Sequence, residues 1–239
     1  MADSDLITAF SFEAGDPKFS CLGDAAILLQ WRGAETAERS SQIASAFHQI
    51  SGSRIPGVLA AVPGFTSLAV HFDPLLLTAA ELADQLQQLL QNEAVPSQQE
   101  TRTVCIPVSF AAADAEDLYD VAEQAQMSVE QLTALFTETE FRVRIIGFTP
   151  GFPYMTGLPE SLHLPRRATP RVRVPAGSVA IAGGLAGIYP SESPGGWHLI
   201  GRTSFPLFDP LADPVCQLAP GDCVRFIDQT NVRSREGSL

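Results

Sequence analysis

Pro165–Gly184 reads PRRATPRVRVPAGSVAIAGG, and its punctuation decides the second half of the fold. Two short strand-like runs, Val172–Val174 and Val179–Ala182, are separated by Pro175 and Gly177 and closed by Gly183–Gly184. Proline removes a backbone donor and glycine weakens a helix interior, so short strands joined by tight turns are expected here. The texture extends both ways: Val143–Phe148, His198–Ile200 and Cys223–Phe226 are further short apolar runs. Residues 142–239 hold 12 of the 18 glycines and 12 of the 18 prolines. An all-β barrel or sandwich is the expected form.

Upstream the pattern changes. Leu6–Phe12 and Ala25–Trp31 are strand-like, and Ala34–Ile50 places Ile43, Phe47 and Ile50 on one helical face. Val58–Val62 and Ser67–Phe72 read as strands joined by the turn pair Pro63–Gly64. Thr78 and Glu81 form a capping box before a helix carrying Leu82, Leu86, Leu89 and Leu90 on one face. With Thr103–Val108 as the last strand, the order is β-α-β-β-α-β, the ferredoxin-like order. Asn92–Gln99 reads as a linker. Asp114–Gln126 and Ser128–Glu138 read as short helices, with Asp114 and Ser128 as caps and Gln131 completing a second capping box. The fold class is therefore α+β. A ferredoxin-like α/β domain is expected over residues 1–95, and a β domain over 101–239 with short helices in 114–138.

Charge follows the same division. The chain of 239 residues carries a net charge of −12, with 45% hydrophobic residues and a mean hydropathy of +0.10. Residues 1–100 carry net −8, 101–141 net −7 and 142–239 net +3. That balance builds a core and argues against nucleic acid as a partner. Apolar runs stop at about five residues where a membrane span needs about twenty. No basic-then-apolar leader is visible, so a cytoplasmic location is the expectation. Cys21, Cys105, Cys216 and Cys223 form no CxxC pair and have no neighbouring His, so four free thiols and no metal site are expected. Lys18 is the only lysine, and no P-loop, dinucleotide fingerprint, HExxH or GxSxG is present.

Chemistry concentrates in Gly147–Thr203. GFTPGFPYMTGLP (Gly147–Pro159) interleaves Phe148, Phe152 and Tyr154 with three Pro and three Gly. A stiff loop with three rings can wall a pocket, and the same residues suit a rigid core loop with a buried aromatic cluster. Arg166, Arg167, Arg171 and Arg173 fall within eight residues. A guanidinium fork matches carboxylate or phosphate, and four such groups also make an exposed basic face. YPSESPGGW (Tyr189–Trp197) reads as a turn with Pro194–Gly195 at its centre, offering Tyr189, Ser191, Ser193 and the Trp197 indole for hydrogen bonding. Arg202 and Thr203 follow, and His198 lies between.

These residues resemble the B component of 5-oxoprolinase, a family also called KipI, with related chains known as allophanate hydrolase subunit 1. The resemblance rests on GFTPGFPY (Gly147–Tyr154), Leu164–Ile181, Gly187–Gly201, the LFDP at Leu207–Pro210 and APGDCVRF at Ala219–Phe226. Gly23–Ala26 and Val62–Pro74 agree with it as well. The resemblance implies a cyclophilin-like β-barrel as the C-terminal domain. It implies one part of a hetero-oligomer, working with the C component (KipA-like) and the A component of 5-oxoprolinase. Together these open 5-oxo-L-proline to L-glutamate with ATP, the nucleotide being bound at the interface with the partner. Its alternative implication is a regulatory protein that inhibits a sensor histidine kinase.

Carried onto this chain, the resemblance and the residue chemistry together suggest Arg166, Arg171 and Tyr189 as catalytic. Phe148, Phe152, Tyr154, Arg167, Ser193, Trp197 and Arg202 are suggested as substrate-binding. The chain departs from the family pattern at Phe110–Ala112, Phe136, Phe141 and Leu185–Ala186, each change removing a polar group. Those departures imply an altered substrate or weakened catalysis.

Overall fold

The computed structural model describes residues 17–34, 36–91 and 102–230. The chain divides into two compact units, Met1–Gln98 and Gln99–Leu239. The expected strand Leu6–Phe12 and the expected linker Asn92–Gln99 lie outside the described residues.

In the first unit the elements run β1 (Lys18–Cys21), β2 (Ala26–Gln30), α1 (Ala37–Ser53), β3 (Val58–Pro63), β4 (Ser67–Phe72) and α2 (Ala79–Gln91). Thr36 caps α1 by accepting from the Arg39 N–H, and the Thr78–Glu81 box starts α2 as its spacing requires. The sheet is antiparallel in the order β1-β2-β4-β3. Ile43, Ala46 and Ile50 of α1 and Leu82, Ala83 and Leu86 of α2 pack against Ile27, Leu29, Leu68, Val70 and Phe72. One assignment changes. The place beside β2 belongs to β1, which forms a hairpin with it, and Thr103–Val108 belongs to the second unit. A short hairpin closes locally, whereas a strand after α2 must cross back over the helices, so the nearer strand takes the edge.

In the second unit come β5 (Thr103–Val108), α3 (Leu118–Gln124), α4 (Val129–Glu138), β6 (Glu140–Ile146), β7 (Pro153–Thr156), β8 (Arg171–Val174), β9 (Ser178–Ala182), β10 (Leu185–Ile188), β11 (Ser193–Gly195), β12 (His198–Arg202) and β13 (Cys223–Asp228). Seven strands form one curled sheet in the order β12-β9-β10-β7-β6-β13-β5. Its two outer strands meet where Ser109 and Arg202 exchange backbone hydrogen bonds of 2.8 and 2.9 Å. That bridge brings the two outer strands together at one end and curls the sheet toward a barrel.

Alternation along each strand sorts the side chains. Val179, Ile181, Ala186, Ile188, Ile200, Met155, Val143, Val224, Phe226, Ile106 and Val108 point inward. Leu118, Val121 and Ala122 of α3 and Leu132 and Phe136 of α4 join them, so the interior is filled by side chains. Ser128 caps α4 with the complete capping box. The helix expected from Asp114 begins only at Leu118, with Asp117 at the N-cap position. Pro194–Gly195 is likewise not a turn centre: it lies in β11, which pairs with β8 in a separate two-stranded ribbon.

Candidate functional site

The outer face of the barrel carries the residues singled out from sequence. Phe152, Ala180, Ala182, Tyr189, Trp197 and Leu199 form a second core in this unit, with Val174 of the ribbon over it and Tyr154 and Leu185 at its margin. Phe152 meets Tyr189 and Trp197 edge to face, with ring centroids 5.1 and 5.6 Å away, and lies tilted against Tyr154 at 4.9 Å. Glycines make this possible. A Cβ at Gly187 would lie 2.7 Å from Phe152 Cζ, and one at Gly195 would overlap Tyr189 Oη. Phe152, Tyr189 and Trp197 are buried and packed solid, whereas Phe148 is 62% exposed and stands edge-on to Phe152 and Tyr189. Phe148 also has φ +68°, a left-handed backbone that side chains rarely adopt.

Gly195→Ala is expected to push Tyr189 out of its slot and destabilise the unit by about 1–3 kcal/mol, the usual cost of overpacking. Burial raises the Tyr189 phenol above its ordinary value, against a backbone hydrogen bond from Trp197 that lowers it. Displacement should therefore bring one tyrosine back toward ordinary titration in a spectrophotometric pH scan.

The arginines do not act alike. Asp117, whose side chain is 3% exposed, accepts from Arg167 Nη1 at 2.6 Å, Arg171 Nη1 at 2.9 Å, Arg171 Nη2 at 2.8 Å and the Leu199 N–H at 2.7 Å. Arg171 Nε donates to Glu116 at 3.1 Å. Although Asp117 sits at the start of α3, its carboxylate makes no cap bond and is turned wholly to these partners. Burial alone would raise its pKa, but hydrogen bonds from Arg171 and Leu199 and the charges of Arg171 and Arg167 hold it below the ordinary carboxylate range. Arg171 is correspondingly raised, chiefly by its bonds to Asp117.

A carboxyl depressed by folding stabilises the fold above its unfolded value, near pH 3.9, and that contribution is lost as pH falls through the lower folded value. The unit should accordingly lose stability on acidification below about pH 4. Chemical denaturation at stepped pH is expected to show this slope in the parent and a flatter one in Asp117→Asn.

Arg173 pairs with Glu192 at 2.5 Å on the exposed ribbon. Arg202 Nε donates to the Ala176 carbonyl, and its Nη1 lies 3.9 Å from Asp114 at the barrel seam, so it shares no contact with the Asp117 cluster among the described residues. Arg166 is exposed and has no ion pair among the described residues. Arg167, next to it in the chain, donates its N–H to the Gly196 carbonyl at 2.8 Å, which ties this stretch beside Trp197. Thr149 Oγ1, Arg167 Nε and Ser193 Oγ are buried with no hydrogen-bond partner.

His198 donates from Nε2 to the Pro165 carbonyl, 2.9 Å away, and His163 from Nε2 to the Leu158 carbonyl, both fixing loops. Cys21 and Cys105 are exposed, Cys216 half-buried and Cys223 buried, all free. Among the described residues no group of three or more His, Cys, Asp or Glu could hold a metal ion, and no helix is long and apolar enough to cross a membrane.

Asp117 and Glu116 were not singled out from sequence, although the acidic 101–141 segment standing beside the Arg-rich one was their signal. The apolar departures also find their place. Phe110, Phe136 and Phe141 meet with Phe226 inside the barrel, and Ala186 lines the same core. Only Leu185 borders the outer ring cluster.

This scaffold is that of the carboxyltransferase domain, subdomains C and D, whose family model matches residues 17–218. The curled sheet agrees with the cyclophilin-like barrel expected from the resemblance. Urea carboxylase of Kluyveromyces lactis, 19% identical, shares the fold at a TM-score of 0.66 over 92% of this chain and 22% of its own. The TTHA0988 structure is 36% identical at a TM-score of 0.75, over 85% of this chain and 39% of that one, so this chain spans well under half of TTHA0988. The 5-oxoprolinase B component of Escherichia coli O157:H7 is 43% identical over 175 residues, 73% of this chain and 80% of that protein. The chain belongs to the family of 5-oxoprolinase B components.

Proposed function

We propose that the chain is the B component of an ATP-dependent 5-oxoprolinase, opening 5-oxo-L-proline to L-glutamate together with the C and A components. The observation that carries this reading is the buried Asp117 clamp. It holds Arg167 and Arg171 together, while Arg166, next to Arg167 in the chain, is exposed and has no ion pair among the described residues. In this role Arg166 and Arg167 face the ligand with the exposed Phe148 at its edge, and the buried Tyr189 and Ser193 hydroxyl lie behind them. Arg171 acts by position, since its Nε and both terminal nitrogens are bonded to acids of this chain. Phe152, Tyr154 and Trp197 set the wall behind. Arg202 would belong to the seam.

A lactam carbonyl is a poor electrophile, and ATP supplies its activation in this reaction. The residues present do not fit a nucleotide on their own. Lys18, the sole lysine, lies in β1, and the arginines are mostly neutralised by Asp117, Glu116 and Glu192. The other components must contribute the phosphate contacts. That TTHA0988 carries the same module within a chain more than twice as long supports work alongside further polypeptide. The exposed Phe148, Phe208 and Leu211 supply apolar surface for it, and a histidine-kinase partner of the KipI type would use the same surface. Co-expression with the two partner components should give ATP-dependent glutamate from 5-oxoproline, with none from this chain alone. An assembled complex that makes no glutamate refutes the reading.

A further inference from the structure

The first unit carries a groove that the 5-oxoprolinase reading leaves unused. β3 ends the sheet order β1-β2-β4-β3, so one side of its backbone has no strand beside it among the described residues. Alongside it, against the last turn of α1, lies an open cavity of about 480 Å³ whose lining includes Ile50, Arg54, Ile55, Val58, Leu59 and Ala61. A space of that size accommodates the side chains of a ligand. Free sheet edges are ordinarily guarded by charged residues. Ile55–Thr66 has none, and Leu59 is 71% and Val62 45% exposed. The groove is held open by its own backbone: the Val58 N–H donates to the Ile55 carbonyl at 3.1 Å and the Asp73 N–H to the Gly57 carbonyl at 2.8 Å.

One charge marks the groove. Arg54 follows α1 with φ +48° and ψ +44°, the left-handed region that glycine enters at little cost. An exposed arginine stands there instead, with neither ion pair nor hydrogen bond among the described residues. Among the described residues it is the one ionisable group lining the groove, and residues 1–100 around it carry net −8.

These features select the occupant. An apolar free edge takes an extended chain by strand addition, with alternate side chains entering the cavity. Pro63 has no N–H to donate and the pairing of β3 shifts register after Val58, so only a short segment can align. A second copy fits poorly. Each copy carries net −12, and antiparallel pairing about Ala61 would set Arg54 against Phe65–Leu68 of the other, where no acid stands. We propose that the groove between β3 and α1 binds a short extended segment of another polypeptide, antiparallel to β3, with alternating apolar side chains and an acidic residue near its carboxyl end. Antiparallel alignment brings that end to Arg54, which precedes β3 in the chain. The site lies wholly in the first unit and is independent of the reaction served by the second.

The test is fluorescence anisotropy on the full chain with a labelled peptide, Val-Thr-Val-Thr-Val-Asp-Asp. The parent is expected to bind it at least about tenfold tighter than the same peptide ending in Lys-Lys, a step of about 1.4 kcal/mol. Arg54→Gly should erase that preference and still melt close to the parent, since glycine suits the left-handed position. Two further acidic peptides carry N-methyl groups on alternate residues, one on each edge. One should bind like the unmethylated peptide and the other at least about tenfold more weakly, because an added strand pairs with β3 along one edge only.

Failure of the acidic peptide to bind, equal binding of the Asp- and Lys-ended peptides, or a preference that survives Arg54→Gly overturns the proposal. So does equal binding of the two methylated forms. A concentration-dependent dimer in sedimentation that Leu59→Lys dissolves and the acidic peptide leaves intact assigns the edge to a second copy, and likewise overturns it. None of these outcomes involves glutamate formation, so the 5-oxoprolinase reading stands or falls separately.

Discussion

Asp117→Ala is expected to destabilise the C-terminal unit by about 3 kcal/mol. The change strands two guanidinium groups and leaves the Leu199 N–H without its acceptor. Breaking a buried pair by removing one partner ordinarily costs about 3–5 kcal/mol. The lower end applies because the Arg167 side chain is 32% exposed and that of Arg171 16%, so both recover some hydration. For a unit of this size the melting temperature should fall by about 6–12 °C. Adding Arg171→Met to Asp117→Ala should restore part of the loss, since it removes one stranded charge. A single variant that melts within about 0.5 kcal/mol of the parent would mean that the clamp contributes no more than a surface pair.

Phe136→Ala is the second large effect, expected at about 3–5 kcal/mol. Phe136 is fully buried and lies at the centre of a ring group, stacked on Phe226 at 4.8 Å, tilted on Phe141 at 4.8 Å and edge-on to Phe110 at 6.3 Å. Truncation removes contacts in three directions, and strands of a closed sheet have little freedom to collapse into the gap. Urea denaturation should show a lower midpoint with an unchanged slope. Phe136→Leu should lose far less, because it keeps most of the volume. A Phe136→Ala variant as stable as the parent would place this ring outside the core.

Much of the architecture was legible because local rules and tertiary packing agreed. Ile43 and Ile50, or Leu82 and Leu86, have one face to bury, and both turned it to the sheet. Thr78 and Ser128 capped the helices that their spacing announced. The misses share a cause. Thr103–Val108 has the character of a strand in either unit, and only its pairing partner, β13 at the far end of the chain, decides which one. Lys18–Cys21 is too short and mixed to announce itself. Asp117 looked like one more acid near a helix start, and its use as a counter-ion depends on Arg167 and Arg171 some fifty residues later. Pro194–Gly195 carries turn residues for another reason: the missing Cβ of Gly195 makes room for Tyr189. The ring cluster allowed two readings, and the burial of Phe152, Tyr189 and Trp197 fits the core one, while Phe148 is exposed.

The parallel pairing of β5 with β13 has a consequence for synthesis on the ribosome. The first unit has every strand of its sheet, and both helices, in hand before Thr103 is translated. Thr103–Val108 emerges next but must wait for Cys223–Asp228, nearly the last described segment to be made. Such distant pairing is slow to form, and an apolar strand left waiting is open to wrong partners. The nascent chain should therefore gain protease resistance in two stages, the second arriving only once Cys223–Asp228 has emerged, and chaperone demand should fall on the interval between them.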